Sequence, residues 1–407
     1  MHLTLIGAFA ALFLLSTFAL ADEPLPEASP PGAKDVVLDV SEGLTLRTRD
    51  GKASLKLGGY FDTDLRTTGF AGTPLVPSFS LQRARLFLDA KIAPYLRAGF
   101  EANFAISGVS RIKHAYIDVG PSPALQVRAG FFKVPFGFEE LISGRYTPLV
   151  DRSIATENVT PGRDIGLMVH GKLAGETFGY QLAVTNGTGE DAVGDTNGDK
   201  DVLARLIYEP IPALHFGVAG TFGKEADELG GDGLETSAGT PFLVYAAGVQ
   251  HEGWRQRYGA EATALIGPAS LRAELFDLRL ADLKKMDVVA DLNVIAWYVT
   301  ATWIITGEDA SLRQIAPRRG WGAFELAARL SQVAADSAAR AAGLAAGATR
   351  ATELTLGLSW YVNRLVTVRA NYIRATFESA VLVGAATPSP ETRNDEDSFA
   401  FRFQGEF

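Results

Sequence analysis

The chain has 407 residues, no cysteine, and 47 acidic against 38 basic side chains, a net charge of −9. That balance excludes a nucleic-acid binder built on a basic stripe. The missing cysteine excludes a disulfide framework, a CxxC site and a cysteine nucleophile, while the length allows one large domain or two or three smaller ones.

The chain opens on the apolar run LTLIGAFAALFLLSTFALA (3–21), which ends in Ala19-Leu20-Ala21 and is followed at once by Asp22 and Glu23. A short apolar stretch closing on a small-x-small site reads as a secretory signal peptide, residues 1–21. A single membrane anchor is the plainer alternative, since Met1-His2 carries no Lys or Arg. Residues 22–50 are a polar lead-in with room for one short strand. Beyond residue 21 no stretch approaches the ~18 apolar residues that a membrane helix needs.

From residue 51 onward the pattern has period two. In ASLKLGGYFDTDLR (53–66), Leu55, Leu57, Phe61 and Leu65 share one parity, with Lys56, Tyr60, Asp62, Asp64 and Arg66 on the other. In YLRAGFEANFAI (95–106), Leu96, Ala98, Phe100, Ala102, Phe104 and Ile106 oppose Arg97, Glu101 and Asn103. The same alternation returns in TFGYQLAVTN (177–186), WGAFELAARLS (321–331) and ELTLGLSWYV (353–362). Such strands fit a soluble sandwich, but they are long enough to cross a bilayer obliquely. Tight connections at 93–94 and 209–213 contrast with long polar ones at 223–240 and 379–396. The polar parity carries more charge than a sandwich needs, and an aqueous lumen accepts it. Lipid permits only helices or closed barrels, because every backbone group must be paired. The expected fold is therefore all-β, a transmembrane antiparallel barrel over 51–407.

Strand-like stretches begin near 53, 79, 95, 110, 124, 164, 177, 201, 214, 242, 255, 270, 291, 321, 352, 365 and 397, seventeen in all. A single-chain bacterial barrel has an even number, so sixteen is the expected count, the weakest members lying at 110–132 and 242–280. ARAAGLAAGA (339–348) is read as part of a connection. The chain ends on SFAFRFQGEF, with Phe399, Phe401, Phe403 and Phe407 on one face. A last strand closing on phenylalanine resembles the signal read by the barrel assembly machinery.

No catalytic constellation is visible. The five histidines (His2, His114, His170, His215, His251) stand singly, and there is no HExxH, GxSxG or phosphate-binding glycine loop. Asp62 and Asp64 could form an acid pair by spacing, but a lumen wall is the ordinary account. DAVGDTNGDKD (191–201) places Asp195, Asn197, Asp199 and Asp201 at alternate positions around Gly198, which resembles the start of a calcium loop. No glutamate completes it, and an acidic surface loop is the plainer reading. A structural calcium is thus the one cofactor candidate, with no other cofactor implied.

Charge is uneven along the chain. Twelve basic and eight acidic residues lie between Arg83 and Lys172, whereas residues 186–240 hold eleven acidic and three basic ones. After Lys133 and Pro135 some thirty residues run irregularly, a length that cannot face lipid. Folded into the lumen, the segment would bring Lys133, Arg145 and Arg152 beside passing solutes, where basic groups favour anions.

The stretches LQRARLFLDAKI (81–92), KHAYIDVG (113–120), GFFKVPFGFEEL (130–141), SGRYTPLVDRS (143–153), PGRDIGLMVHG (161–171), YVTATWIITGE (298–308), WGAFELAARLS (321–331) and LGLSWYVNRLVTVRANYI (356–373) follow in order, ending in FRFQGEF. On these the chain resembles the phosphate-selective porins O and P of the bacterial outer membrane. The resemblance implies a homotrimer of sixteen-stranded barrels, with residues 133–162 as an inward-folded constriction loop. It implies Arg83, Arg85, Arg97, Arg128, Lys133, Arg145 and Arg152 as pore-lining candidates. It equally allows basic residues to knit loop to wall, with Arg145, Arg152 and Arg163 pairing with Glu139, Glu140, Asp151 or Asp164. The expected function is passive diffusion of small anions, phosphate or polyphosphate among them. A general or weakly cation-preferring porin for polar solutes and a plugged structural or adhesive barrel stand as alternatives; an outer-membrane enzyme lacks a nucleophile and base.

Overall fold

The structure, a computed structural model, describes residues 36–39, 43–69, 76–93, 95–108, 111–190, 194–195, 198–224, 227–229, 231, 233–383 and 391–407. The signal peptide and most of the lead-in lie outside these residues. Sixteen antiparallel strands form the wall: β1 (Ser54–Gly69), β2 (Val76–Ala93), β3 (Leu96–Asn103), β4 (Ile112–Ser122), β5 (Leu125–Lys133), β6 (Arg163–Leu173), β7 (Phe178–Thr185) and β8 (Asp201–Ile211). The circuit continues with β9 (Leu214–Lys224), β10 (Trp254–Ile266), β11 (Ala269–Lys285), β12 (Val288–Ile304), β13 (Ala323–Ala335), β14 (Arg350–Tyr361), β15 (Val366–Val383) and β16 (Glu391–Glu406). Each pairs with the next, and β16 returns to β1 from Asp397↔Gly69 to Glu406↔Tyr60, which closes the barrel.

The closing seam depends on Gly59. A Cβ on Gly59 would stand 2.6 Å from the Phe407 ring and 2.8 Å from the Arg85 carbonyl. The seam ends with Phe407 N–H donating to Gly59 O (3.0 Å) and Gly59 N–H donating to Phe407 O (3.1 Å).

Alternation puts large apolar side chains outside. On β12, Ile295, Val299 and Trp303 are exposed while Val294, Ala296, Tyr298, Thr300 and Thr302 are buried on the inner parity. Exposed apolar rows are the expected surface toward hydrocarbon. Trp321, Phe324 and Trp360 stack in series beside the β14–β15 turn, with ring centres 5.8 Å apart in each pair. Such aromatics mark a membrane interface.

The seventeenth strand-like stretch, near 242, is not in the wall. Pro241–Tyr245 pairs instead with Gly233–Glu235 and Ala345–Gly347 in a separate three-stranded sheet. This sheet uses the 339–348 connection, which also supplies a short helical turn at Ala338–Ala341. Its Leu234, Phe242, Leu243 and Val249 are buried in one cluster with Phe377 and Val381 of β15. A buried apolar run therefore reads as strand from sequence whether it pairs with the wall or packs inside it.

The polar stretch 379–396 is also less of a loop than its composition suggests. β15 continues to Val383 and β16 begins at Glu391. Arg374 bridges Asp395 (2.6 Å) and Asp397 (3.2 Å) across the two strands, so cross-strand ion pairs hold the hairpin together where apolar residues run out. The lead-in supplies two short strands, Val36–Asp39 and Leu44–Thr48, which add to the start of β1.

Candidate functional site: a narrowed lumen

β5 ends where its sequence forces it to. Val134 N–H makes a last bond to Gly162 O (3.0 Å), and Pro135 has no N–H with which to continue the ladder. Gly137 then adopts φ +78, a conformation open chiefly to glycine, and the chain turns inward.

Two short helices order the segment, α1 (Phe138–Leu141) and α2 (Ile154–Val159). Ser153 caps α2, its Oγ accepting from Thr156 N–H at 3.0 Å. The buried Glu139 carboxylate accepts from Ser153 N–H (2.9 Å) and the Thr156 hydroxyl (2.8 Å), joining the two helices. Phe136, Leu149, Val150, Ile154, Ala155 and Val159 are each 0–1% exposed, so this apolar strip is packed rather than displayed.

The segment is tied to the inner face of the opposite wall. Glu274 on β11 accepts from the N–H groups of Phe138 (2.6 Å) and Glu139 (2.7 Å). Arg329 on β13 donates to Asp151 O (2.9 Å) and Arg152 O (3.0 Å). Ser359 on β14 donates to Pro148 O, and Asn371 and Arg369 on β15 hold Val150 N–H and Arg145 O. Arg402 on β16 donates to Val150 O and Arg66 on β1 grips the Asp151 carboxylate at 2.6 Å. The anchors thus run from β11 around to β1, and the segment crosses the lumen.

What stays open lies on the other side, against β2 to β7. A cavity of about 330 Å³ is bounded by Arg83, Arg85, Arg128, Lys133, Arg145, Arg152 and Arg163 and by only two carboxylates, Asp89 and Glu101. Six of the seven candidate basic residues line it. The seventh, Arg97, lines a neighbouring cavity of about 420 Å³ that shares Arg128 and Gln181 with the first.

The carboxylates that fix these cations stand mostly behind them. Arg83 bonds to fully buried Asp62 (2.9 Å), Arg128 to Asp118 (2.6 Å) and Arg145 to Glu406 (3.4 Å). Arg152 bonds to Glu140 (3.2 Å), and Lys133 to Glu140 and to the Glu140 and Ile142 carbonyls. Arg163 and Lys113 share Glu190, each at 2.6 Å. Only Arg85 has its partner, Glu101, on the cavity surface (2.6 Å). Such bonds hold long side chains in one geometry at the cavity wall.

Burial alone would push the carboxyl groups of the segment up. It does so for Glu157. For Glu140, burial is outweighed by Arg152 and Lys133, and the group falls below the usual range. For Glu190, burial is outweighed by Arg163 and Lys113, which hold it down at about 2.

Of the suggested partners, Arg152 alone takes one, Glu140; Arg145 and Arg163 reach carboxylates 261 and 27 residues away. Asp62 and Asp64 are not an acid pair: Asp64 holds Arg402 (2.7 Å) and Arg66 (2.8 Å). The cavity also takes in Arg163, Asp89, Glu101, His114 and Tyr116, which were not among the pore-lining candidates. The signal for Asp89 was its shared parity with Arg83 and Arg85.

In the acidic loop, Asp201 lies at the start of β8 and accepts from Arg255 (3.1 Å). Asp195 accepts from Gly198 N–H and Lys200, and Asn197 lies outside the described residues. Among the described residues no group of three or more His, Asp or Glu is placed to hold a metal.

A closed sixteen-stranded barrel, apolar outside and narrowed inside by a segment after its fifth strand, defines a porin of the bacterial outer membrane. The chain belongs to the family of phosphate-selective porins O and P, which it matches over residues 56–404. It is 25% identical over 396 residues to Porin O of Pseudomonas aeruginosa, spanning 84% of this chain and 87% of that protein. Among solved structures it is similar in fold to OmpT of Vibrio cholerae (TM-score 0.57, 11% identity, 87% of this chain and 98% of that one). It is likewise similar to an anion-selective porin from Comamonas acidovorans (TM-score 0.54, 14% identity, 88% and 100%). The protein is a transport channel and not an enzyme.

Proposed function

We propose that this porin passes small anions, phosphate among them, through the cavity that Arg83, Arg85, Arg128, Lys133, Arg145 and Arg152 line, with residues 133–162 as its constriction. The observation that carries this reading is the asymmetry of the cavity surface, seven cations against two carboxylates. The chain's net charge of −9 does not oppose it, because selectivity follows the charges that border the narrow path. The relative from Comamonas acidovorans is described as anion-selective, which accords with the same reading.

Association as a homotrimer belongs to the proposal. β3, β5 and β7 have only eight or nine residues, against sixteen to eighteen in β1, β2, β15 and β16. That low side of the wall suits contact with a neighbouring subunit better than full exposure to lipid. OmpT of Vibrio cholerae is described in a trimer form.

Single-channel conductance tests the selectivity. Replacing chloride by a bulky anion should cut the conductance several-fold, whereas replacing potassium by a bulky cation should change it little. The reverse pattern would establish a cation-preferring porin. Phosphate added to a chloride solution should reduce the chloride current if the cavity holds phosphate.

A further inference from the structure

Among the charged side chains bordering the narrow cavity, Asp89 stands apart. The seven cations and Glu101 all have ion-pair partners. Asp89 makes no hydrogen bond or ion pair among the described residues, and it is the one charged cavity residue that is exposed rather than half-buried or buried.

Asp89 pairs in register with Gly99, Gly99 with Tyr116, Tyr116 with Gly130 and Gly130 with Gly166. Three of these positions lack a side chain, which leaves a gap above Gly99. The Tyr116 ring fills part of the gap: a Cβ on Gly99 would lie 2.8 Å from its Cζ. The Arg128 guanidinium covers that ring at 4.0 Å from its centre. Lys56 faces Asp89 from β1 in register, and Arg145 and Glu101 lie within Coulombic range. An exposed carboxylate therefore lies between Lys56 on one side and the Arg128-covered Tyr116 ring on the other.

For an anion of any valence, such a carboxylate is a local barrier. For a solute with one charge of each sign it is a second point of attachment, and complementary placement of both signs confers specificity. Resting on the anion-passing reading, we propose that Asp89 makes the cavity a bipolar filter. It favours small zwitterions, molecules bearing a carboxylate and an ammonium group, over simple anions of the same size. The ammonium group meets Asp89 while the carboxylate meets Arg128 or Arg145.

Liposome swelling with β-alanine and with propionate, solutes of similar size, tests this on wild type, Asp89→Asn, Asp89→Ser and Asp89→Glu. Removing one charge roughly 7 Å from the path changes a permeability by about threefold or more, even with water-like screening. The ratio of β-alanine to propionate flux should therefore fall at least about threefold in both uncharged variants, and Asp89→Glu should retain it. Asp89 holds no other residue in place, so folded, heat-modifiable barrels are expected from all three. An unchanged ratio in the uncharged variants, with wild type showing an anion-side zero-current potential in KCl, would overturn the role of Asp89 alone. A cation-side potential in wild type would overturn the anion-passing reading and this one with it.

Discussion

Arg329→Ala should loosen the constriction segment at its β13 anchor. Arg329 is 1% exposed, and its guanidinium donates to Asp151 O and Arg152 O and reaches the Glu139 carboxylate at 3.3 Å. Truncation takes the Arg329 donors from two half-buried carbonyls and removes the cation paired with Glu139. Breaking a buried ion pair by deleting one partner costs about 3–5 kcal/mol, and a hydrogen bond to a charged group is worth about 1.5–3 kcal/mol. At the lower figure of about 3 kcal/mol, the undocked fraction of the 139–153 stretch rises about a hundredfold. The anchors at Glu274, Arg369 and Arg402 remain, so the barrel still assembles. In single-channel records the variant should show brief excursions to a larger conductance. Trypsin should cleave at Arg145 and Arg152 at a rate that follows the open fraction. Arg329→Lys, which retains the charge, should lie between the two. Wild-type noise together with wild-type cleavage in Arg329→Ala would refute the idea that these bonds hold the segment across the lumen.

Gly59→Val should fail to close the barrel, since its side chain would collide with the Phe407 ring and the Arg85 carbonyl; the amount of heat-modifiable protein in outer membranes reports this. Deleting Phe407 should lower that amount too, because the seam loses both of its terminal hydrogen bonds. Glu190, held down at about 2 against an ordinary 4.5, stabilises its latch on Lys113 and Arg163 fully above the ordinary value. That stabilisation is lost progressively as pH falls from the ordinary value toward the folded one, and Glu190 itself takes up its proton only near the folded value. Conductance should thus be constant from neutral pH to about 4 and change between about 3 and 2, whereas Glu190→Gln should show no such step. Lys133→Gln should move the zero-current potential in a KCl gradient toward the cation side by removing a cavity cation.

The barrel was legible because lipid and water impose opposite demands on alternate residues. β12 shows it in the contrast of Val299 and Trp303 with Thr300 and Thr302. Alternation stops being informative where the lumen is filled. There the inner parity turns apolar, as at Leu292, Val294 and Ala296 on β12, and a run such as Pro241–Tyr245 reads like wall. At the cavity, basic residues could be counted from sequence but not paired. Arg145 meets Glu406 and Arg402 meets Asp64 only because closure brings the chain ends together. That Gly99, Tyr116, Gly130 and Gly166 fall in one row with Asp89 is a property of register across five strands.

The central claim concerns the sign of the ion that passes, and the zero-current potential across a tenfold KCl gradient, with purified protein in a planar bilayer, reads it directly. The cation-rich cavity requires a potential close to the chloride limit. A value near zero or on the potassium side would contradict it, as would the absence of any conductance, which would assign the barrel a plugged, structural role.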